Sequence, residues 1–309
     1  MKLVFMGTPD FSVKALEALI CSEHEVAAVV TQPDRAKGRN KKVVFSPVKE
    51  VAVKYGIKVY QPLRVREPEF VEILKDINPD AIVVAAFGQI LSKEILEIPK
   101  YGCINIHASL LPKYRGAAPI QQAVIDGADE TGVTTMLMDV GLDTGDMLDK
   151  VRVPVDKKET GGSLHDKLAE RTPELILGTL KKIELGNIHR EKQDDSKSTY
   201  AGMLKKEMGH IDFSKSAKEI ERLIRGLNPW PSAYAFLNGK TLKIWDADVD
   251  DDEFDGSPGQ IVKTEKSSFY VKTGKGTLVV KELQLEGKKR MSAEAFMLGY
   301  NLNEEIVLC

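Results

Sequence analysis

The chain has 309 residues, 42% of them hydrophobic and 29% charged, with a formal net charge of −2. That length suggests two domains and permits a large core, while the near-neutral balance excludes a globally basic polyanion binder and leaves only local patches for such contacts. Cys21, Cys103 and Cys309 are too few and too scattered for a disulfide framework or a metal site, no apolar run approaches the roughly 18 residues of a membrane span, and residues 1–6 enter a strand with no room for a leader, so a soluble, cytoplasmic protein without metal or membrane contact is expected.

Residues 2–6 read as a buried strand that exits through Gly7-Thr-Pro-Asp10, with Thr8 able to cap the next helix and Pro9 suited to its first position. Val13, Leu16, Leu19 and Ile20 mark the apolar face of that helix. Further strands are expected at 25–31, 57–60, 80–87 and 101–107, with helices around 51–55, 69–75 and 118–125 between or after them. Residues 81–86 are wholly apolar, as in a strand covered on both faces. Residues 133–138 and 147–153 suggest an antiparallel pair. Strands alternating with helices predict an α/β domain built on a doubly wound, mostly parallel, Rossmann-like sheet. The first strand exits without Gly-x-Gly-x-x-Gly, and no Gly-x-x-x-x-Gly-Lys-Ser/Thr occurs, which disfavours a nicotinamide enzyme or a P-loop nucleotidase.

Between the second strand and the next helix, residues 32–42 carry five cations (Arg35, Lys37, Arg39, Lys41 and Lys42) against one acid, Asp34. The residues alone favour a solvated surface loop, with a phosphate-contacting arm as the sharper possibility. A long helix is expected over 162–185, and the polar stretch that follows suggests a linker. The implied division is a catalytic domain over 1–188, a linker over 189–206 and a C-terminal domain over 207–309. Within that last domain, residues 216–227 form an amphipathic helix stopped by Asn228-Pro-Trp-Pro231. Five short strands follow, at 233–237, 241–246, 259–264, 268–273 and 276–285. They predict a small β-barrel of the OB-like type. Residues 207–309 hold 14 Lys/Arg and 17 Asp/Glu, and seven of those acids fall within 246–255, so the remainder is net positive.

The chemistry concentrates at the end of the fifth expected strand. In 103–107 side chains alternate, so Ile104 and Ile106 enter the core while Asn105 and His107 share the other face, about 7 Å apart along the strand. Open α/β sheets place ligands at that end of their strands. Asp143 lies in a second glycine-punctuated turn, Met138-Asp-Val-Gly-Leu-Asp-Thr-Gly145. An Asn amide can donate to a developing oxyanion, a contribution of about 3 kcal/mol. Imidazole can donate to the same oxygen or protonate a leaving nitrogen. A carboxylate can orient that ring or take the proton of an attacking amine. Singly, each residue is as easily structural: a strand-end histidine, a loop-satisfying Asn, a turn Asp. Together they predict acyl transfer between two bound substrates, since neither Ser109 nor Cys103 has a nucleophile's setting. His24, His165, His189 and His210 are expected to be surface or packing residues.

Asn105-Ile-His107, Ser109-Leu-Leu-Pro112, Tyr114-Arg-Gly-Ala-Ala-Pro119 and Asp139-Val-Gly-Leu-Asp-Thr-Gly145 resemble the 10-formyltetrahydrofolate-dependent formyltransferases. The resemblance runs nearly end to end. Phe5-Met-Gly-Thr-Pro-Asp-Phe11, Thr31-Gln-Pro-Asp-Arg35 and Asn228-Pro-Trp-Pro231 match the members that formylate initiator methionyl-tRNA. It implies a one-carbon acyl transferase of translation initiation with Asn105, His107 and Asp143 as its catalytic trio. Ser109, Leu110, Leu111 and Pro112 would contact the folate. Phe87, Gly88, Gln89 and Ile90 would line the pterin pocket together with Asp139, Val140, Gly141 and Leu142. The basic loop (Arg35, Lys37, Arg39, Lys41, Lys42) would reach the tRNA acceptor stem, with Arg39 its key residue, and the C-terminal barrel would hold the tRNA backbone. The enzyme is expected to be a monomer, with the acidic run of 248–255 in an exposed loop turned away from the tRNA. A formyltransferase of the same core acting on glycinamide ribonucleotide or an amino-sugar nucleotide is the alternative; it needs neither basic loop nor barrel.

Overall fold

The computed structural model describes residues 1–37 and 42–309, with the backbone alone at 35–37 and 42–43. Residues 1–116, 130–154 and 165–201 form one compact unit, and residues 117–129, 155–164 and 202–309 form the other. In chain order come β1 (Lys2–Gly7), α1 (Val13–Ile20), β2 (Glu25–Val30), β3 (Arg35–Lys37), β4 (Lys42–Val44), α2 (Pro47–Lys54) and β5 (Val59–Tyr60). They are followed by α3 (Pro68–Ile77), β6 (Ala81–Ala85), α4 (Lys93–Leu96), β7 (Cys103–His107), β8 (Arg115–Gly116) and α5 (Pro119–Asp126). Next are β9 (Glu130–Leu137), β10 (Met147–Pro154), α6 (Gly161–Ala169), α7 (Thr172–Glu184) and β11 (Tyr200–Ala201).

The first unit is an α/β domain on a seven-stranded sheet of order β10-β9-β7-β6-β1-β2-β5. β1 pairs in parallel with both β2 and β6, and β7 extends that parallel set. β9 runs antiparallel to β7 and β10 antiparallel to β9, so the expected antiparallel pair closes one side of a Rossmann-like sheet. Apolar residues on α1, α3, β1 and β6 form its core: Leu16, Leu19, Leu74, Val4 and Ile82 are fully buried, and Val4, Leu74 and Ile82 share one cluster. The helix expected over 162–185 is two helices. Pro173 has no N–H to donate and its ring would clash one turn back, so the first helix ends and a new one starts with this proline in its first turn. The Thr172 hydroxyl donates to the Ala169 carbonyl at 2.9 Å across the break.

The second unit adds α8 (Ala217–Gly226), β12 (Ala233–Leu237), β13 (Lys240–Asp250), β14 (Ile261–Thr264), β15 (Phe269–Lys272), β16 (Thr277–Leu285), β17 (Met291–Ser292) and α9 (Ala293–Met297). The strands form an antiparallel sheet of order β12-β13-β16-β15-β14, with β17 on β16. Residues 306–309 reach both of its edges. Ile261 N donates to Ile306 O at 2.9 Å and Leu308 N to Gly259 O at 2.8 Å, while Phe236 N donates to Cys309 O at 2.6 Å. α8 opens with a capping box between Ser216 and Glu219 and buries Ile220 and Ile224 against the sheet. Helix α5, expected among the crossovers of the parallel sheet, belongs to this unit. A Cβ at Gly226 of α8 would lie 2.4 Å from Ile125, so the contact between the two helices needs glycine. The acidic run of 248–255 is only partly the expected loop: residues 251–255 lie outside any strand, whereas its start belongs to one. Asp246, Asp248 and Asp250 are in β13, alternating with buried Ala247, and Asp248 is bonded by Lys158 and Lys281, which hold its carboxyl below the usual value.

Candidate active site

β7 lies between β6 and β9, with Asn105 opposite Met136 and His107 opposite Thr134. All five of its residues are buried, and the two polar ones stay 9% and 6% exposed, so each requires partners. The loop that follows is pinned from its own side of the sheet. Thr134 Oγ1 donates to Ser109 O at 2.7 Å and accepts from Leu111 N at 3.2 Å, while Ser109 Oγ donates to Lys113 O at 2.6 Å. These bonds carry Tyr114, at φ +59°, back over the strand end. His107 Nε2 then donates to Tyr114 O at 2.9 Å. A carbonyl can only accept, so Nε2 carries the proton and the tautomer is set. Nδ1 is left facing Asp143, whose Oδ2 lies 3.7 Å away.

The Asp143 turn converges on the same spot. Asp139 Oδ1 accepts from Gly141 N at 2.9 Å and Thr144 Oγ1 at 2.6 Å, a side-chain-closed turn. Asp143 sits at φ +53°. Its Oδ2 accepts from Gly116 N at 2.8 Å, and its Oδ1 lies 3.5 Å from Asn105 Nδ2. Asn105, His107 and Asp143 are therefore together, as their residue types suggested. The ring's firm hydrogen bond, however, is to the Tyr114 carbonyl, and the carboxylate stands slightly outside hydrogen-bond distance. The Asn105 amide donor, an imidazole whose free nitrogen is Nδ1 and a carboxylate around one point can stabilise charge on an acyl oxygen and take up an amine proton.

Sequence reasoning missed Gln193, which it placed in a polar linker. This side chain is buried and donates to the carbonyls of Asp143 (2.8 Å) and Gly145 (2.7 Å). A polar stretch without period hides such a residue, because nothing in it marks one glutamine as inward-facing. Thr199 was missed likewise: its hydroxyl accepts from Tyr114 N at 2.8 Å.

The other expected positions divide by what they expose. Phe87, Ser109 and Leu111 are buried, whereas Ile90, Val140 and Leu142 are apolar and 81%, 74% and 55% exposed. Gly88 is exposed at φ +81°, and Leu110 and Pro112 are half-buried. Asp139 is used by its own loop and Gln89 ties its loop to the one before α3, its Oε1 accepting from Val65 N at 2.7 Å. Of the basic residues, Arg35 and Lys37 lie on β3 and Lys42 on β4, paired antiparallel, while Arg39 and Lys41 fall outside the described residues. Beside that pair, Asp34 accepts from Lys49 Nζ (2.5 Å) and Gln61 Nε2 (2.9 Å), and these bonds hold its carboxyl below the usual value. Among the described residues, no cluster of His, Cys, Asp and Glu is arranged to hold a metal ion, and no helix is long and apolar enough to cross a membrane.

Comparison with known proteins places this geometry. A model of formyl transferases matches residues 1–180, and one of the formyl transferase C-terminal domain matches residues 203–301. The methionyl-tRNA formyltransferase of Lachnospira eligens is 57% identical over 313 residues, covering 100% of this chain and 99% of the relative. That of Clostridioides difficile is 50% identical over 308 residues, covering 100% of both. Among solved structures, WlaRD, a sugar 3N-formyl transferase, superposes with a TM-score of 0.68 at 20% identity over 94% of this chain and 99% of its own. HypX from Aquifex aeolicus in complex with tetrahydrofolic acid gives 0.64 at 17% over 98% and 48%. These two share the fold. The full-length relatives and both domain models go further, and this chain belongs to the formyl transferase family, among the methionyl-tRNA formyltransferases.

Proposed function

We propose that this chain transfers the formyl group of 10-formyltetrahydrofolate to the free amino group of methionyl initiator tRNA, as a monomer in the cytoplasm. The observation that carries this reading is the convergence of Asn105, His107 and Asp143 at the end of β7, in a chain 57% identical over its whole length to a methionyl-tRNA formyltransferase. The methionine amine attacks the formyl carbon, a new C–N bond forms, and the bond to N10 breaks. Negative charge develops on the formyl oxygen. Asn105 donates an amide N–H to it. His107 is oriented by the Tyr114 carbonyl through Nε2, so it donates from Nδ1 when the ring is doubly protonated. Asp143 accepts the proton lost by the amine, and that proton passes on to N10 as the bond to it breaks, so N10 leaves protonated.

The donor is held by apolar and backbone groups. Ile90, Val140 and Leu142 present exposed apolar side chains to a flat ring, Phe87, Gly88, Asp139 and Gly141 offer backbone, and Gln89 and Asp139 brace the loops that carry them. Ser109, Leu110, Leu111 and Pro112 lie on the next loop and flank the folate. Arg35, Lys37, Arg39, Lys41 and Lys42 supply a local positive arm for the tRNA. In this reading residues 1–188 carry the chemistry, 189–206 connect, and 207–309 form an OB-like barrel along the tRNA backbone; the bonds from residues 306–309 to both sheet edges support that closure. A mass-shift assay with a formylfolate donor and a panel of amines tests the assignment. Formylation of methionyl initiator tRNA alone is expected, and formylation of glycinamide ribonucleotide or an amino-sugar nucleotide in its place overturns it.

A further inference from the structure

Residues 191–201 touch both loops that carry the catalytic groups. Glu191 bridges to Met147, Asp195 accepts from Arg115, Thr199 bonds the backbone at 114 and 115, and β11 pairs with β8. Gln193 is the member that reaches Asp143. Its amide is fully used: Nε2 donates to Asp143 O and Gly145 O at 2.8 and 2.7 Å, and Oε1 accepts from Arg115 Nε and Nη2 at 3.0 and 2.8 Å. A guanidinium only donates and a carbonyl only accepts, so this amide has one possible orientation. Arg115 is held in turn by Asp195 Oδ1 at 2.7 Å. Asp143 is a non-glycine residue at φ +53°, a backbone state that persists only where its surroundings enforce it. The two bonds from Gln193 do so, one on Asp143 itself and one on Gly145.

We propose that Gln193 is a positioning residue for formyl transfer, whose amide holds the 143–145 turn so that the Asp143 carboxylate stays against Asn105, Gly116 N and His107. The assignment rests on the catalytic role given to Asp143 above. Gln193→Met keeps length and apolar stem but removes every hydrogen bond of the amide. In the full chain, with formylfolate and methionyl initiator tRNA, this variant lowers kcat about 30-fold, and both KM values stay within about threefold, because geometry rather than binding is lost. The distinguishing readout is a double-mutant cycle in single-turnover formyl transfer. Added to Asp143→Ala, Gln193→Met costs less than about threefold, since the group it positions is gone. Gln193→Glu, which keeps the Arg115 partner but turns an oxygen toward the two carbonyls, repeats the kcat loss and replaces the Met variant if that one does not fold. Parental kcat in either folded variant overturns the proposal, as does the same loss with and without Asp143. Parental turnover in Asp143→Ala alone instead removes the catalytic assignment.

Discussion

Asn105 and His107 are two buried polar side chains whose remaining hydrogen-bonding capacity points into one space, and their value lies in being held there before substrate arrives. Asn105→Ala and His107→Ala are each expected to lower kcat by at least about a hundredfold, as loss of a preorganised oxyanion donor does, measured by steady-state formylation. Gly116 matters for a different reason. Its φ is +112°, its N–H bonds Asp143, and a Cβ there would lie 2.5 Å from Ala201 O and 2.7 Å from the Tyr200 ring. Gly116→Ala is expected to destabilise the protein by about 1–3 kcal/mol in urea unfolding, with a larger proportional loss of turnover than of stability. Cys103 neighbours the site but does no chemistry: burial pushes its thiol up to about 12. At pH 8 a thiol-exchange reagent is expected to titrate the exposed Cys21 and Cys309, and Cys103 only after unfolding.

Among the elements, the β3–β4 pair is anchored by residues that flank it in sequence. Asp34 precedes β3 and Lys49 follows β4 on α2, and their ion pair closes the intervening chain with Gln61 Oε1 2.7 Å from the same ammonium. Ser46 caps α2 and shares a hydrogen bond with Thr31 at 2.8 Å, fixing the helix start on the same side. Asp34 titrates below its ordinary value of 3.8 because Lys49 and Gln61 bond its ionised form. Its stabilisation is therefore complete above pH 3.8 and disappears as the pH falls through the lowered folded value. Asp34→Asn is expected to cost on the order of 1 kcal/mol at pH 7. The difference from the parent should close as urea melts are taken below about pH 4.

For the molecule as a whole, a net charge of −2 gives no general attraction for a polyanion, so tRNA use has to depend on a few local cations. The acidic stretch of 246–255 does not oppose this as strongly as its seven charges suggest, because Lys158, Lys281 and Lys272 bond Asp248 and Glu253. Arg39→Ala is expected to raise KM for methionyl initiator tRNA and leave that for the formyl donor unchanged. The slope of log KM against log salt should fall by about 0.7–0.9, the signature of one lost phosphate contact. An unchanged slope would return the basic loop to ordinary solvated surface.

Much of this was written in the chain itself, because its signals are local. The apolar run at Ala81–Ala85, the alternation Cys103–His107 and the Asn228-Pro-Trp-Pro231 helix stop each specify geometry within a few residues, so the parallel strands, the antiparallel pair and the Asn105–His107 face could be read directly, whereas the break at Pro173 was not. The conjunction of the Asn105 and Asp143 motifs carried the family. What only the tertiary structure decided were pairings across long sequence distance: Gln193 with Asp143 and Arg115, Thr199 with Tyr114, α5 with α8, and Asp248 with its two lysines. A hydrogen bond between residues thirty or more apart leaves no period and no motif in either segment. Its energy exists only once the intervening chain has folded, and that is why the supports of the Asp143 turn were invisible until the backbone had closed around it.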